Sequence, residues 1–173
     1  MERTKKEKIR SFALLCEFRQ SVSEILDLPF TERIDHQAFK QYQKVLALWA
    51  GECGQHVLPY FEARYPEDKR PRKAIETLYE WIKTGEFHMM TIRSASLGAH
   101  AAAKGRKQAD AVFAAHTAGQ AVGTAHVATH ALGAALYGIR AVAAHSGNID
   151  DGLVRERGWQ LARLQNLRAQ NSI

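Results

Sequence analysis

Cysteine and proline are both scarce in this chain of 173 residues, and their scarcity restricts the fold. Two cysteines, Cys16 and Cys53, are too few for a disulfide framework or a cysteine-rich metal site, and they fit a reducing, cytoplasmic compartment. The last of the four prolines is Pro71. Because proline interrupts helices, we expect a segmented first half and longer helices in the second half.

An excess of positive charge is confined to the two ends of the chain. The formal net charge is +6, and residues 1–10 and 153–173 carry the whole excess of basic side chains, so the body between them is balanced. Basic ends on a neutral body are typical of solvated helix surfaces, and we therefore do not expect nucleic-acid binding. The opening residues have too short an apolar run for a signal peptide and are predicted to begin the first helix.

Formal charge is missing altogether between Asp110 and Arg140, a stretch long enough to cross a bilayer. Its composition argues against insertion, because alanine, glycine, threonine and histidine give little hydrophobic drive. A helical segment that is uncharged on every side is more economically explained as the buried centre of a helical domain. The sequence thus predicts a buried Ala/Gly/His-rich helical segment from Asp110 to His145 and no membrane span.

Apolar spacing predicts helices along the first half of the chain. The first helix has an apolar face consisting of Leu15, Phe18, Val22, Ile25 and Leu26. Asp35 is a candidate N-cap for the next helix, because its carboxylate can accept from backbone N–H groups. The apolar stripe of that helix consists of Phe39, Tyr42, Leu46, Trp49 and Cys53. Pro59 is expected to kink or restart it.

Turn residues predict where the later helices begin and end. Pro71 fits the first turn of another helix and Gly85 its C-terminal end. A further helix is predicted from about Met89 to Lys104, and Asp150 or Asp151 is expected to cap the last one. The inward side of that last helix is predicted to consist of Val154, Leu161 and Leu164. Together these segments predict an all-α fold, a single bundle of about six or seven helices.

Histidines are the polar side chains in the second half that could carry chemistry. The candidate polar cluster consists of His100, His116, Gln120, His126 and His130. If residues 110–145 formed one straight helix, most of this cluster would share one stripe with Gly119, Gly123 and His145. The opposite stripe would be bulky and apolar.

This stripe has a functional and a structural interpretation. His126 and His130 are the candidate metal ligands, because histidines at i and i+4 can share an ion. No carboxylate occurs inside the uncharged segment, so further ligands would have to come from other helices. We favour the structural interpretation, in which Gly119 and Gly123 let a neighbouring backbone approach while the imidazoles satisfy buried carbonyls or hydroxyls. We accordingly expect no metal or other cofactor.

Other catalytic patterns are absent from the sequence. Neither a nucleophile elbow nor a phosphate-cradling glycine loop occurs, and Cys53 is predicted to be a core residue rather than a reactive thiol. A basic turn with Arg70, Arg72 and Lys73 could hold an anion at a helix N-terminus, although a solvated, ion-paired turn is the simpler explanation. The sequence therefore predicts no catalytic residue.

Four segments carry a resemblance to a known family: WAGECGQHVLPYFE at 49–62, YPEDKRPRKAIE at 65–76, AHAA at 99–102 and AGQAVGTAHVATHALGA at 118–134. Together they resemble the immunity-five-like family, immunity proteins of bacterial polymorphic-toxin systems. The resemblance covers about residues 45–145 of the single domain predicted for residues 1–173. Ala128 stands where the family frequently has proline, which leaves open whether the helix breaks near Val127.

The resemblance implies a helical protein that binds and neutralises a toxin-like partner protein, and it supplies no catalytic residues. A nuclease partner fits less well, because nuclease inhibitors usually present acidic surfaces, whereas this chain has basic ends. One alternative is a metal-binding protein or metal-dependent enzyme that uses His100, His116, His126 and His130. Another is a homo-oligomer with a structural role, formed through the stripe of small residues.

Overall fold

The computed structural model describes residues 16–28, 35–147 and 149–170, and no strand occurs within these ranges. The helices are α1 (residues 16–25), α2 (His36–Lys40), α3 (Gln43–Glu62), α4 (Arg70–Thr84), α5 (Met89–Ala102), α6 (Ala109–Gly123), α7 (His130–His145) and α8 (Ile149–Gln170). The predicted all-α bundle is confirmed, with eight helices in these ranges in place of six or seven. Leu15 and the basic residues 1–10 lie outside the described residues.

α3 and α6 form the centre of the bundle. α6 contacts α3, α4, α5 and α7, and α3 also contacts α4, α7 and α8. The side chains of α6 are mostly alanine and glycine, and this small size lets several helices approach it. No helix in the described ranges has the combination of length and apolar character that crossing a membrane requires.

Trp49 links both ends of the described chain to α3. Its side chain is fully buried and its ring stacks on that of Phe18 from α1, with centroids 6.1 Å apart. Its Nε1–H donates a 2.7 Å hydrogen bond to the backbone oxygen of Gln160 in α8. All five residues of the predicted apolar stripe around Trp49 are buried, which confirms their place in the core. They do not share one helix as predicted, because Phe39 lies on α2 and Tyr42 in the turn before α3.

Several helix ends agree with the sequence. Asp35 is the N-cap of α2, and its Oδ1 accepts from the backbone N–H groups of Gln37 and Ala38 at 2.9 and 3.1 Å. Pro71 occupies the first turn of α4. Gly85 ends that helix with a φ of 73°, a left-handed conformation in which a side chain would be strained.

Pro59 does not restart a helix as one alternative predicted, because α3 continues through it to Glu62. Proline removes the hydrogen bond to the carbonyl four residues earlier, here that of Gln55. Both residues lie on the exposed side of α3, so the orphaned carbonyl is on the side that faces water.

The start and the inner side of α8 also differ from the prediction. The helix begins at Ile149, so Asp150 and Asp151 lie in its first turn, where negative charge complements the helix dipole, and not at the cap position. Val154 was predicted to face inward but is 72% exposed. Glu156 and Gln160 are buried on α8, so polar side chains hold part of the inner side that the apolar pattern assigned to Val154.

The uncharged segment is not one straight helix. α6 ends at Gly123 and α7 begins at His130, with a turn between them. The side-chain Nε2 of Gln43 donates to the backbone oxygens of Thr124 and Ala125, both at 2.9 Å. These bonds give partners to carbonyls of the turn that follows α6. The chain therefore breaks near Val127 even without a proline.

Candidate functional site

The predicted histidine cluster lies where α5, α6 and α7 meet. α6 presents Gly119 and Gly123 to this contact, and imidazole rings occupy the space beside them. A Cβ atom at Gly119 would lie 2.8 Å from the ring of His100, and one at Gly123 would lie 3.1 Å from that of His130. The two glycines thus make room for imidazole rings. A neighbouring backbone, which the sequence led us to expect there, does not occupy this space.

His100 and His116 form a hydrogen-bonded pair between α5 and α6. Their Nδ1 atoms are 2.8 Å apart, so one ring donates and the other accepts. Burial lowers the pKa of both rings, and the neighbouring His116 lowers that of His100 further. Two cationic rings would place N–H against N–H, so this contact requires at least one neutral imidazole.

His130 forms a second arrangement with Gln120 at the start of α7. Its Nδ1 lies 2.7 Å from Gln120 Oε1, which can only accept a hydrogen bond, so the imidazole donates. The Gln120 amide packs over Gly133, where a Cβ would be 2.7 Å from Oε1. Burial lowers the pKa of His130, and the nearby His126 lowers it further. The exposed ring of His126 lies 5.0 Å from that of His130.

The structure therefore brings the five residues of the predicted cluster together in two groups. His126 and His130 remain neighbours although the chain breaks between them. Among the described residues, no three His, Cys, Asp or Glu side chains are arranged so that they could hold a metal ion. The imidazoles bond to each other and to a side-chain amide, instead of to the backbone carbonyls or hydroxyls that we expected.

Sequence reasoning missed the buried carboxylates that hold His56 and His145 at the exposed side of α3. Asp110 at the start of α6 is only 4% exposed. It accepts two hydrogen bonds from Arg64, at 3.1 and 2.8 Å, and its Oδ2 lies 3.0 Å from Nδ1 of His145. Burial alone would raise the pKa of Asp110, but the hydrogen bonds from Arg64 and His145 lower it.

Glu156 of α8 holds His56 in the same way. The carboxylate is 2% exposed, and its Oε2 lies 3.1 Å from Nδ1 of His56. Its Oε1 accepts a 2.9 Å hydrogen bond from Gln160 Nε2. The hydrogen bond to Glu156 raises the pKa of His56 although partial burial opposes this. The ring of His56 also lies 4.4 Å from that of Trp159.

Tyr60 lies between the two carboxylate–histidine pairs. Its ring stacks on that of His145, with centroids 4.1 Å apart. Burial raises the pKa of its hydroxyl, and the charges of Glu156 and Asp110 raise it further. His56 and Tyr60 lie on α3 and Arg64 just after its end, at intervals of four, a spacing that could have revealed this row. Their carboxylate partners come from α6 and α8, which the spacing could not reveal.

The basic turn and the buried thiol behave as ordinary structural features. Arg70 forms an ion pair with Asp68, at 2.6 Å between Nη2 and Oδ2, and Arg72 forms one with Glu62. These carboxylates compete with any anion for the two arginines. Cys53 is fully buried, and burial raises the pKa of its thiol well above the usual range. A thiol in such surroundings is unreactive.

The fold and this arrangement define an all-helical protein in which five histidines are held by side chains from other helices. The chain matches the family model described as Imm-5 like putative immunity protein over residues 36–167. This match covers most of the chain and includes these five histidines, so the protein belongs to that family. Neither the curated proteins nor the solved structures contain a match to it.

Proposed function

We propose that the protein is an immunity-type binding protein that neutralises a toxin-like partner protein by contact. Family membership over residues 36–167 carries this proposal. The proposal places the protein in the bacterial cytoplasm, alongside a toxin of a polymorphic-toxin system. Its free cysteines, Cys16 and Cys53, suit such a reducing compartment.

The histidine contacts support this proposal, because they hold the helices of the bundle together. His100, His116 and His130 are partly buried and hydrogen-bonded within the bundle. His56 and His145 are each held by a buried carboxylate of another helix. Side chains that are oriented in this way fix helices relative to one another, which preorganises a surface for a partner.

Co-expression with the neighbouring reading frames tests the proposal. Each neighbour is expressed in a bacterial host alone and together with the full chain, and growth is recorded. We expect one neighbour to be toxic alone, to be tolerated in the presence of this protein, and to co-purify with it at a fixed stoichiometry. If no neighbour is toxic, or if toxicity is unchanged and no complex forms, the proposal is wrong.

A further inference from the structure

Exposed large apolar side chains are concentrated at the beginning and along one side of α5. The described residues include five such side chains, four of which fall within 87–97: Phe87, Met89, Met90 and Leu97. Met90 is 79% exposed and Leu97 is 58% exposed. Single apolar residues on a surface need no explanation, but a contiguous group of them indicates an interaction site.

The side of α5 that faces solvent carries two large exposed apolar side chains, those of Met90 and Leu97. Ile92, Ala99 and Ala102 bury the inner side of the helix. At 100° per residue, the opposite side carries a row that consists of Met90, Ser94, Leu97 and Ala101. We call this set the α5 outer row; it extends over about 17 Å at 1.5 Å per residue. A surface helix normally has polar side chains in this position.

The charges that border the α5 outer row are positive and lack counter-ions. From Phe87 to Ala109 the sequence contains no Asp or Glu. Arg93 and Lys104 are exposed, and neither forms an ion pair with any carboxylate of the described residues. Arginines elsewhere do form such pairs, for example Arg163 with Glu52 at 2.6 Å. Charges of this kind attract a negatively charged partner surface.

The border toward α4 is different. There a groove of about 370 Å³ separates the two helices, and its lining includes Glu76, Glu80 and Lys73 together with Trp81. Charges of both signs therefore lie on this side, whereas Arg93 and Lys104 bring cations that form no ion pair with a described carboxylate. A partner that fits must place its carboxylates over the cationic border and its apolar side chains over the row.

We propose that the α5 outer row is the docking surface for the partner protein, and that it receives an amphipathic helix whose apolar side is bordered by Asp and Glu. This inference rests on the proposed function and adds a location and a charge pattern to it. A second copy of the chain fits less well, because its own α5 brings cations and no carboxylate to the contact. The spacing i, i+4, i+7 and i+11 within the row is the spacing by which helices pack on one another.

The experiment uses the full chain and the toxic neighbour that it protects against. Met90→Asp combined with Leu97→Asp places two carboxylates in the row, and Val154→Asp on α8 is the matched control, because Val154 is 72% exposed and lies on another helix. We expect the double variant to bind the partner at least about 100-fold more weakly and to lose protection, since central apolar contacts dominate interfaces. The control should bind as the wild type does.

Two further measurements make the test selective. Arg93→Glu should weaken binding and reduce its dependence on salt, because it removes a charge at the border of the contact. The melting temperature of each variant should equal that of the wild type, which shows that lost binding is not lost folding. If the double variant with an unchanged melting temperature binds as tightly as the wild type, the docking surface is wrong while the proposed function stands.

Other occupants of the row give different results. A wild-type dimer in light scattering that the double variant disrupts would identify a second copy as the occupant and overturn the inference. Binding of the wild type, but not of the double variant, to phosphatidylglycerol vesicles would overturn it in favour of a lipid surface. A wild type that protects against no neighbour would remove the proposed function and this inference with it.

Discussion

The Nδ1 atoms of His100 and His116 face each other at 2.8 Å across the contact between α5 and α6. A single hydrogen can lie between two such nitrogens, so the contact persists only while at least one ring is neutral. Since burial lowers the pKa of both rings, the folded protein favours the neutral state that the contact needs. The pair therefore links the packing of two helices to the pH of the solution.

We expect the free energy of unfolding to decrease as the pH falls below about 6.5, the ordinary pKa of histidine. The pKa values of His100, His116 and His130 are lowered in the folded state, so the unfolded chain takes up protons first. Their contribution to stability is complete above that pH and is lost below it. Urea unfolding at several pH values between about 5 and 8 measures this, and His116→Gln should reduce the dependence.

His56 should have the opposite effect on the pH dependence. Its folded-state pKa is raised, so its ion pair with Glu156 stabilises the protein below about pH 6.5 and is lost as the pH rises through the folded-state value. His56→Gln should therefore steepen the loss of stability on the acid side. Equal slopes for all of these variants and the wild type would contradict the assignment.

Gly119→Ala should destabilise the protein although alanine favours helices. The new Cβ would lie 2.8 Å from the ring of His100, which its bond to His116 holds in place. We expect a loss of about 1–3 kcal/mol in denaturant unfolding. Gly158→Ala is the control, because nothing lies within 4 Å of its Cβ, and it should stabilise α8 by up to about 1 kcal/mol.

The clash at Gly119 has a second test. Combining Gly119→Ala with His100→Ala removes the ring that the new methyl group meets. The double variant should then lose less stability than the sum of the two single variants, with a coupling of about 0.5–3 kcal/mol. Additive losses would show that the ring does not occupy the space beside residue 119.

Asp110→Asn should cost about 2 kcal/mol of unfolding free energy at neutral pH, because a buried carboxylate that accepts charged hydrogen bonds is replaced. The cost is moderate, since Arg64 and His145 are half-exposed and can turn to water. The pKa of Asp110 is lowered, so this stability is present above about pH 4 and disappears as the pH falls through the folded-state value. Glu62→Gln, at the more exposed pair with Arg72, should cost less than about 1 kcal/mol.

Protein prepared without chelators should contain no stoichiometric transition metal. The reason is geometric, since the described His, Cys, Asp and Glu side chains do not converge in groups of three. Elemental analysis by mass spectrometry measures this, and treatment with a chelator should leave the melting temperature unchanged. Stoichiometric zinc, nickel or iron that is lost in the His126→Ala, His130→Ala variant would establish the metal-binding alternative.

Periodicity and turn residues predicted most of the fold. The stripe around Trp49 and the ends at Asp35, Pro71 and Gly85 follow from local rules, because each depends on side chains a few positions apart. The inner side of α8 does not follow from them. Its position is held by Gln160, whose partners Ala135 and Trp49 come from distant parts of the chain.

The candidate site likewise combines contacts that sequence spacing predicts with contacts that it does not. His126 and His130 could be paired from their spacing, and they are neighbours in the structure. The pairs His145 with Asp110 and His56 with Glu156 could not, because each joins two different helices and depends on how those helices pack. An apolar outer side of α5 was also hidden, since periodicity alone does not say which of two apolar sides faces the core.

The hydrogen bond from Trp49 to the backbone of Gln160 joins residues 111 positions apart. During synthesis, every other described helix leaves the ribosome before α8 does. Until α8 packs on α3, the Trp49 indole and the neighbouring surface of α3 remain exposed to water. A nascent chain therefore cannot close this part of its interior until α8 has been synthesised.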